Sequence, residues 1–292
     1  MLRVADGESL AVFSTRAMAA GSAAAAVTTD NAIVVVLIPG PIGSSFSMRH
    51  VTTALAADGI QPVVVDLLGM GASARPSRAN YSLTGQAARV AAVLDSLHIV
   101  RALVVGQGTS ATVALHLAAS QPARISAVLS LSGGPVDGQG TRGVRMALAL
   151  APLLDNALGR AIGRRKFRAG VREQSASDAW CTDSVLREYL RPYDTDLRGS
   201  LRALKAMSES VEPVAIADRL SNVRAEVRML IGDKRSANSP TDAQIAVLVS
   251  KLPRFRLDTV SRAGTMLQEE RPDAVTAAIV ALLRSSTSER RP

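Results

Sequence analysis

Short runs of branched aliphatic residues recur along the chain, and longer segments with apolar residues three or four positions apart lie between them. Leu10–Ser14, Ile33–Ile38, Pro62–Leu67, Arg101–Val105, Ile125–Leu131, Glu226–Ile231 and Arg254–Thr259 read as strands. Most are apolar without alternation, as expected of strands buried on both faces of a parallel sheet. Helical spacing is read over Ser45–Asp58, Tyr81–Leu97, Thr241–Lys251 and Ala274–Arg284, with Ser82 as an N-cap. A further helix follows the turn at Gly108. Strand–helix alternation predicts an α/β fold, a mostly parallel twisted sheet with helices on both faces. Residues 17–31 read as an Ala/Ser/Thr-rich loop or a weak second strand, and 285–292 as a disordered tail. From 138 to 218 the strand pattern stops and helical stretches dominate. The predicted organisation is therefore a core of 1–137 and 219–284 with a helical insertion at 138–218.

Composition narrows the function classes. The chain has 292 residues, 47% hydrophobic but only 3% aromatic, which suits one large domain with an insertion. Cys181 is the single cysteine, so no intramolecular disulfide is available, and a reducing compartment is expected. The first residues lack a charged-then-apolar leader pattern, and no apolar run approaches the roughly 20 residues needed to span a bilayer. A cytoplasmic location is the expectation. The formal charge of +9 comes largely from dispersed arginines, densest at Arg160, Arg164, Arg165, Lys166, Arg168 and Arg172. No nucleic-acid motif or aromatic platform frames that run, which reads as a solvated helix face or as an attractor for an anionic ligand. No metal site is expected, because His50, His98, His116 and Cys181 are isolated from one another. No cofactor is expected either: GQGTSA at 106–111 lacks the third glycine of a dinucleotide fingerprint.

Four stretches together resemble one family. IVVVLIPGPIGSS at 33–45 resembles the strand and oxyanion loop of α/β-hydrolases, and DLLGMGAS at 66–73 the family's D-x-x-G-x-G-x-S turn. VRMLIGDKR at 227–235 resembles the strand that delivers the catalytic acid. AGTMLQEERP at 263–272 resembles the histidine loop. Between them, RALVVGQGTSATVAL at 101–115 resembles the strand–turn–helix of the nucleophile elbow, usually G-x-S-x-G. The resemblance implies an α/β-hydrolase fold, with 138–218 as a helical cap over a pocket. Met146, Leu148, Leu150, Leu153, Trp180, Leu186, Tyr189, Leu190 and Leu204 are available for its underside.

The same register implies that the chemistry has changed. Gly108 stands at the nucleophile position, Arg235 at the acid position and Thr265 at the histidine position. Pro39 replaces the histidine before the oxyanion glycine, Gly40. Pro41, which follows it, has no N–H to donate, leaving the Thr109 N–H as the family-type donor. The expected pocket rim is Pro39, Gly40, Gln107, Gly108, Thr109, Ser236, Thr265 and Met266. Three residues are candidates for chemistry: Asp137 for proton transfer, Arg235 as a positive fork for a carboxylate or enolate, and Ser110 as a relocated nucleophile at a helix start. The bland roles are Asp137 in a turn or paired with Arg235, Ser110 or Thr109 as a helix cap, and the three histidines as surface or satisfied groups. Three functions stand open. One is a non-hydrolytic enzyme for cyclisation, isomerisation or elimination. Another is a catalytically inactive relative binding a small molecule or a partner protein. The third is a hydrolase using Ser110. The expected partner is a small, in one reading anionic, molecule; oligomeric state is not read from the chain.

Overall fold

The computed structural model describes residues 1–14, 32–138 and 157–288. A two-stranded antiparallel hairpin, β1 (Leu2–Ala5) and β2 (Glu8–Leu10), precedes the main sheet. The main sheet comprises β3 (Val12–Ser14), β4 (Val34–Ile38), β5 (Val63–Val65), β6 (Ala102–Gln107), β7 (Ile125–Leu131), β8 (Glu226–Gly232) and β9 (Phe255–Val260). Among the described residues its order is β3-β5-β4-β6-β7-β8-β9. β3 runs antiparallel to β5, and the other neighbours are parallel. The apolar runs behave as expected: every residue of β4 and β5 is buried.

Helices α1 (Arg49–Ala57), α2 (Leu83–Ser96), α3 (Ser110–Ser120), α8 (Asp242–Lys251) and α10 (Pro272–Ser288) complete the layers. Two apolar clusters separate along the sheet. One gathers α2, α3 and α8 around Val36, Val104 and Val128. The other gathers α1 and α10 around Val35, Leu103 and Leu129. Adjacent residues of one strand thus feed opposite clusters, the period-two consequence of a sheet covered on both sides.

Local chemistry sets the helix starts. The Ser82 hydroxyl accepts from the Gly85 N–H at 3.0 Å, the N-cap expected from sequence. Thr241 and Gln244 form a reciprocal capping box at α8. Between β7 and β8 lie α4 (Ala157–Gln174), α5 (Asp183–Thr195), α6 (Leu197–Glu209) and the short α7 (Ile216–Arg219). Short helix α9 (Leu267–Glu270) follows β9.

Three expectations change. Leu10–Ser14 is not one strand: Ala11 separates β2 from β3, its N–H bound to the Ser73 hydroxyl at 2.8 Å. Ser45–Asp58 opens as a 3₁₀ turn, Ser45–Met48, before α1. The closing helix runs to Ser288, so 285–288 are helical rather than part of a disordered tail. Residues 17–31, Met146, Leu148, Leu150, Leu153 and 289–292 lie outside the described residues. No described helix is long and apolar enough to cross a membrane.

Half of the basic run on α4 is paired with acids of the following segments. Arg164 pairs with Asp194, Arg168 with Asp183, and Arg172 with Asp178 at 2.6 Å. These three arginines, four residues apart, form one helix stripe facing acids of the neighbouring segments. Their solvated pairs contribute little stability each.

Candidate functional site

The carboxyl ends of the parallel strands bring together the loops after β4, β6, β8 and β9, where open α/β sheets bind ligands. Gly108 closes the turn between β6 and α3 with φ +56°, a left-handed conformation that glycine adopts without steric cost. Among the described residues, a Cβ built on it would meet no atom within 4 Å. The sharp turn is therefore present, and the described residues leave open the space where a side chain would project. The turn is held by the Gly108 N–H on the Leu131 carbonyl at 2.9 Å and by the Ala111 N–H on the Gly108 carbonyl at 3.0 Å.

The neighbouring rim residues are partly committed to one another. The Gly40 N–H donates to Gln107 Oε1 at 2.8 Å. The other end of the same amide, Nε2, lies 3.8 Å from the Met266 sulfur. Gln107 thus spans from the β4 loop to the β9 loop across the mouth of the turn. Thr109 occupies the N-cap position of α3 without a side-chain cap bond, and its N–H finds no acceptor among the described residues. Ser110 is not a cap. Its hydroxyl is buried and donates to the Pro39 carbonyl at 2.6 Å, tying α3 to the β4 loop.

The loop after β8 fastens structure at three successive residues. Asp233 accepts from the N–H groups of Arg262 and Ala263, which hold its carboxyl below the usual aspartate range. Lys234 donates to the Arg172 and Ser175 carbonyls at the end of α4, at 3.0 and 2.5 Å. Arg235 turns to the Pro240 carbonyl and to Asp242 at the start of α8. Ser236 uses its N–H on the Ser239 hydroxyl at 2.9 Å, within the same loop.

Thr265 is buried and its N–H donates to the Gln174 carbonyl at 2.8 Å; its hydroxyl is 3.3 Å from Gln174 Oε1. The end of α4 therefore seats on this loop. Gly264 makes that possible, because a Cβ there would fall onto the Gln174 carbonyl. Glu270 completes the loop by accepting from the Gly264 N–H at 2.8 Å and the Ser177 N–H at 3.0 Å.

Asp137 sits elsewhere than expected. Its carboxylate accepts the Ile216 N–H at 2.6 Å at the start of α7 and is not paired with Arg235. Nearby, His116 is buried on α3, with Nδ1 3.5 Å from both Thr84 Oγ1 and Arg219 and Nε2 3.9 Å from Glu212. Its Nε2 has no hydrogen-bond partner, so it is not the satisfied or surface histidine expected from sequence. Burial lowers its pKa, with Glu212 opposing and Arg219 reinforcing that effect. Glu212 itself accepts from Leu83 N, Thr84 N and the Thr84 hydroxyl at the start of α2. His98 is exposed in a left-handed turn after α2.

A second polar group lies where the helices between β7 and β8 meet α1 and α9. The Glu269 side chain is fully buried and forms a bidentate pair with Arg49 at 2.6 and 2.8 Å. The Tyr189 hydroxyl donates to the same carboxylate at 2.7 Å, and half-exposed His50 stands 3.7 Å away. Arg49 also stacks over Phe46, its guanidinium carbon 4.2 Å from the ring centroid. Phe46, Phe167 and Trp180 each place a ring centroid within 6.0 Å of Tyr189. Burial and the neighbouring carboxylate raise the Tyr189 pKa well above the ordinary phenol value. Cys181 is buried beside this group, and burial pushes its thiol up.

A small cavity of about 10 Å³, roughly one water, lies between Pro41, Gly71, Arg75 and Tyr193. Among the described residues no group of three or more His, Cys, Asp or Glu could hold a metal ion. Sequence reasoning missed Gln174, Asp233, Lys234 and Glu212. Each acts on a partner 29 or more residues distant in the chain, so spacing carries no signal for them.

Residues 35–278 match the alpha/beta hydrolase family model. Among curated proteins, none is significantly similar in sequence. Solved structures resembling the chain include the enol-lactonase from Burkholderia xenovorans LB400, at 18% identity and TM-score 0.73, with 97% of this chain and 99% of that one covered. The meta-cleavage product hydrolase from Pseudomonas fluorescens IP01 is similar at 17% identity and TM-score 0.73, with 97% of each chain covered. Cfl2 from Burkholderia cenocepacia is similar at 23% identity and TM-score 0.68, covering 87% of this chain and 89% of that one.

Proposed function

The chain belongs to the alpha/beta hydrolase family, and we propose that it is a member without hydrolytic chemistry that binds a small molecule over Gly108. The observation that carries this reading is the open, left-handed turn at Gly108, which keeps the elbow's shape without an attacking atom. Hydrolases among its structural neighbours make cleavage the obvious alternative. The other two positions matched to the triad argue against it. Thr265 is bound to Gln174, and Arg235 turns to Pro240 and Asp242.

Substitutes are poorly placed as well. The Ser110 hydroxyl is buried and given to Pro39, so a relocated nucleophile has neither access nor a base. Asp137 serves the α7 backbone, which argues against proton transfer at the elbow. Cyclisation, isomerisation or elimination there would rest on proximity alone, and no observation favours that over binding. The Thr109 N–H at the start of α3 offers a donor for a carbonyl or carboxylate oxygen. The insertion, with α4 seated on the Thr265 loop, acts as a fixed roof rather than a swinging lid.

Assay of the wild type and of Gly108→Ser against p-nitrophenyl acetate tests the claim. Both are expected to match the uncatalysed rate, because a restored hydroxyl still lacks a base, and a serine-directed fluorophosphonate is expected to leave the intact mass unchanged. Turnover that is lost in Ser110→Ala, or a labelled Ser110, overturns the reading.

A further inference from the structure

Gln268 lies on α9, two residues beyond Met266, and its residue surface is fully buried. Neither Nε2 nor Oε1 of its amide completes a hydrogen bond among the described residues. The amide faces the Tyr189 hydroxyl, whose own proton goes to Glu269, and its N–H side favours the phenolate without reaching full hydrogen-bond geometry. A buried primary amide whose donor and acceptor lack well-formed hydrogen bonds is costly, typically about 1–3 kcal/mol for each unsatisfied group. Its surroundings are unusual for this chain. Of only 8 aromatic residues in the sequence (one Trp, three Tyr, four Phe), four meet here: Phe46, Phe167, Trp180 and Tyr189. Tyr189 is buried, while the rings of Phe46, Phe167 and Trp180 stay half-buried at the seam between insertion and core.

We propose that this seam binds a planar ring bearing a carboxamide or lactam, with the Gln268 amide pairing with the ligand's amide. A primary amide offers one donor and one acceptor side by side, and its complement is another amide. The half-buried rings supply stacking faces for the ligand's ring. The charged groups nearby are already matched, Glu269 by Arg49 and Tyr189, so the unmet chemistry is neutral. Full burial of Gln268 means that the ligand enters by shifting the half-buried rings rather than filling a standing cavity. The inference goes beyond the binding reading above, because the seam is a separate place in the fold from the turn at Gly108.

Trp180, the chain's single tryptophan, reports on the site, with its ring centroid 5.9 Å from that of Tyr189. The experiment titrates the full-length protein with benzamide and follows tryptophan emission. N,N-dimethylbenzamide, which keeps the ring and the carbonyl but lacks the N–H, is the comparison. A saturable change with benzamide is expected, about tenfold weaker with the dimethyl compound and at least tenfold weaker in Gln268→Leu. The variant's thermal midpoint is expected at or above that of the wild type, because an unsatisfied amide is removed. Gln268→Met serves in its place if the leucine variant misfolds. No saturable change, or equal benzamide affinity in wild type and variant, overturns the proposal. Such a failure leaves the ester-inert reading intact, whereas ester turnover with a normal benzamide response would overturn that reading alone.

Discussion

Asp66 shows how one side chain of the family's glycine turn works as structure. Its carboxylate accepts from the Ser45 N–H at 2.7 Å and the Ala72 N–H at 2.9 Å, joining the oxyanion-type loop to the turn at 69–73. Burial outweighs those bonds and raises its pKa from 3.8 to about 6. The folded state therefore holds a proton that the unfolded state has lost across that window. Stability from this group is complete below the unfolded pKa and declines as pH rises to about 6, by roughly 3 kcal/mol in all. Asp66→Asn removes the titration. The wild-type-minus-variant stability, from urea melts at a series of pH values, is expected to fall by about that amount across the window. A flat difference curve would show that the carboxylate is not perturbed. Gly108 carries the opposite lesson, since its conformation matters and its missing side chain defines the site.

Among the elements, α4 depends most on residues from outside itself. Its last carbonyls receive Lys234 and the Thr265 N–H, a cation and a donor at the negative end of a helix. Lys234→Met is expected to cost about 1 kcal/mol, limited by the exposure of the ammonium. It should also speed amide hydrogen exchange in residues 170–177 while leaving β6 and β7 protected. Unchanged exchange at the end of α4 would mean that Lys234 is not its fastener. The strands and caps were legible in the chain for local reasons. Ile125–Leu131 is rich in aliphatic residues, broken only by Ser126 and Ser130, and forms β7 over those same residues. Ser82 precedes helical periodicity and caps it, whereas Thr241, read as the first residue of its helix, is instead the cap. The break at Ala11 was not legible, because it depends on Ser73, 62 residues away.

Across the whole molecule, the parallel sheet supplies the site's position, and long-range pairings decide what its residues do. The motifs placed Gly108, Thr265 and Arg235 at the ends of β6, β9 and β8, and the fold carries them there. They did not reveal that Thr265 would meet Gln174, or that Asp137 would hold Ile216 instead of reaching Arg235. Those partners come from the helical segment between β7 and β8, whose docking no local pattern encodes. The helices between β7 and β8 are bound to the rest of the fold at several separated points, among them the end of α4, the Tyr189–Glu269–Arg49 group and Glu212 at the start of α2. Those attachments argue for a fixed rather than a swinging segment.

Native mass spectrometry of the protein after incubation with a source-cell metabolite extract tests this most directly, with Gly108→Asn in parallel. Asparagine tolerates the left-handed conformation and fills the open space. The account predicts a small molecule retained at unchanged mass by the wild type and lost by a variant that melts as the wild type does. A product mass that a heat-killed control does not generate, or equal retention by both proteins, would contradict it.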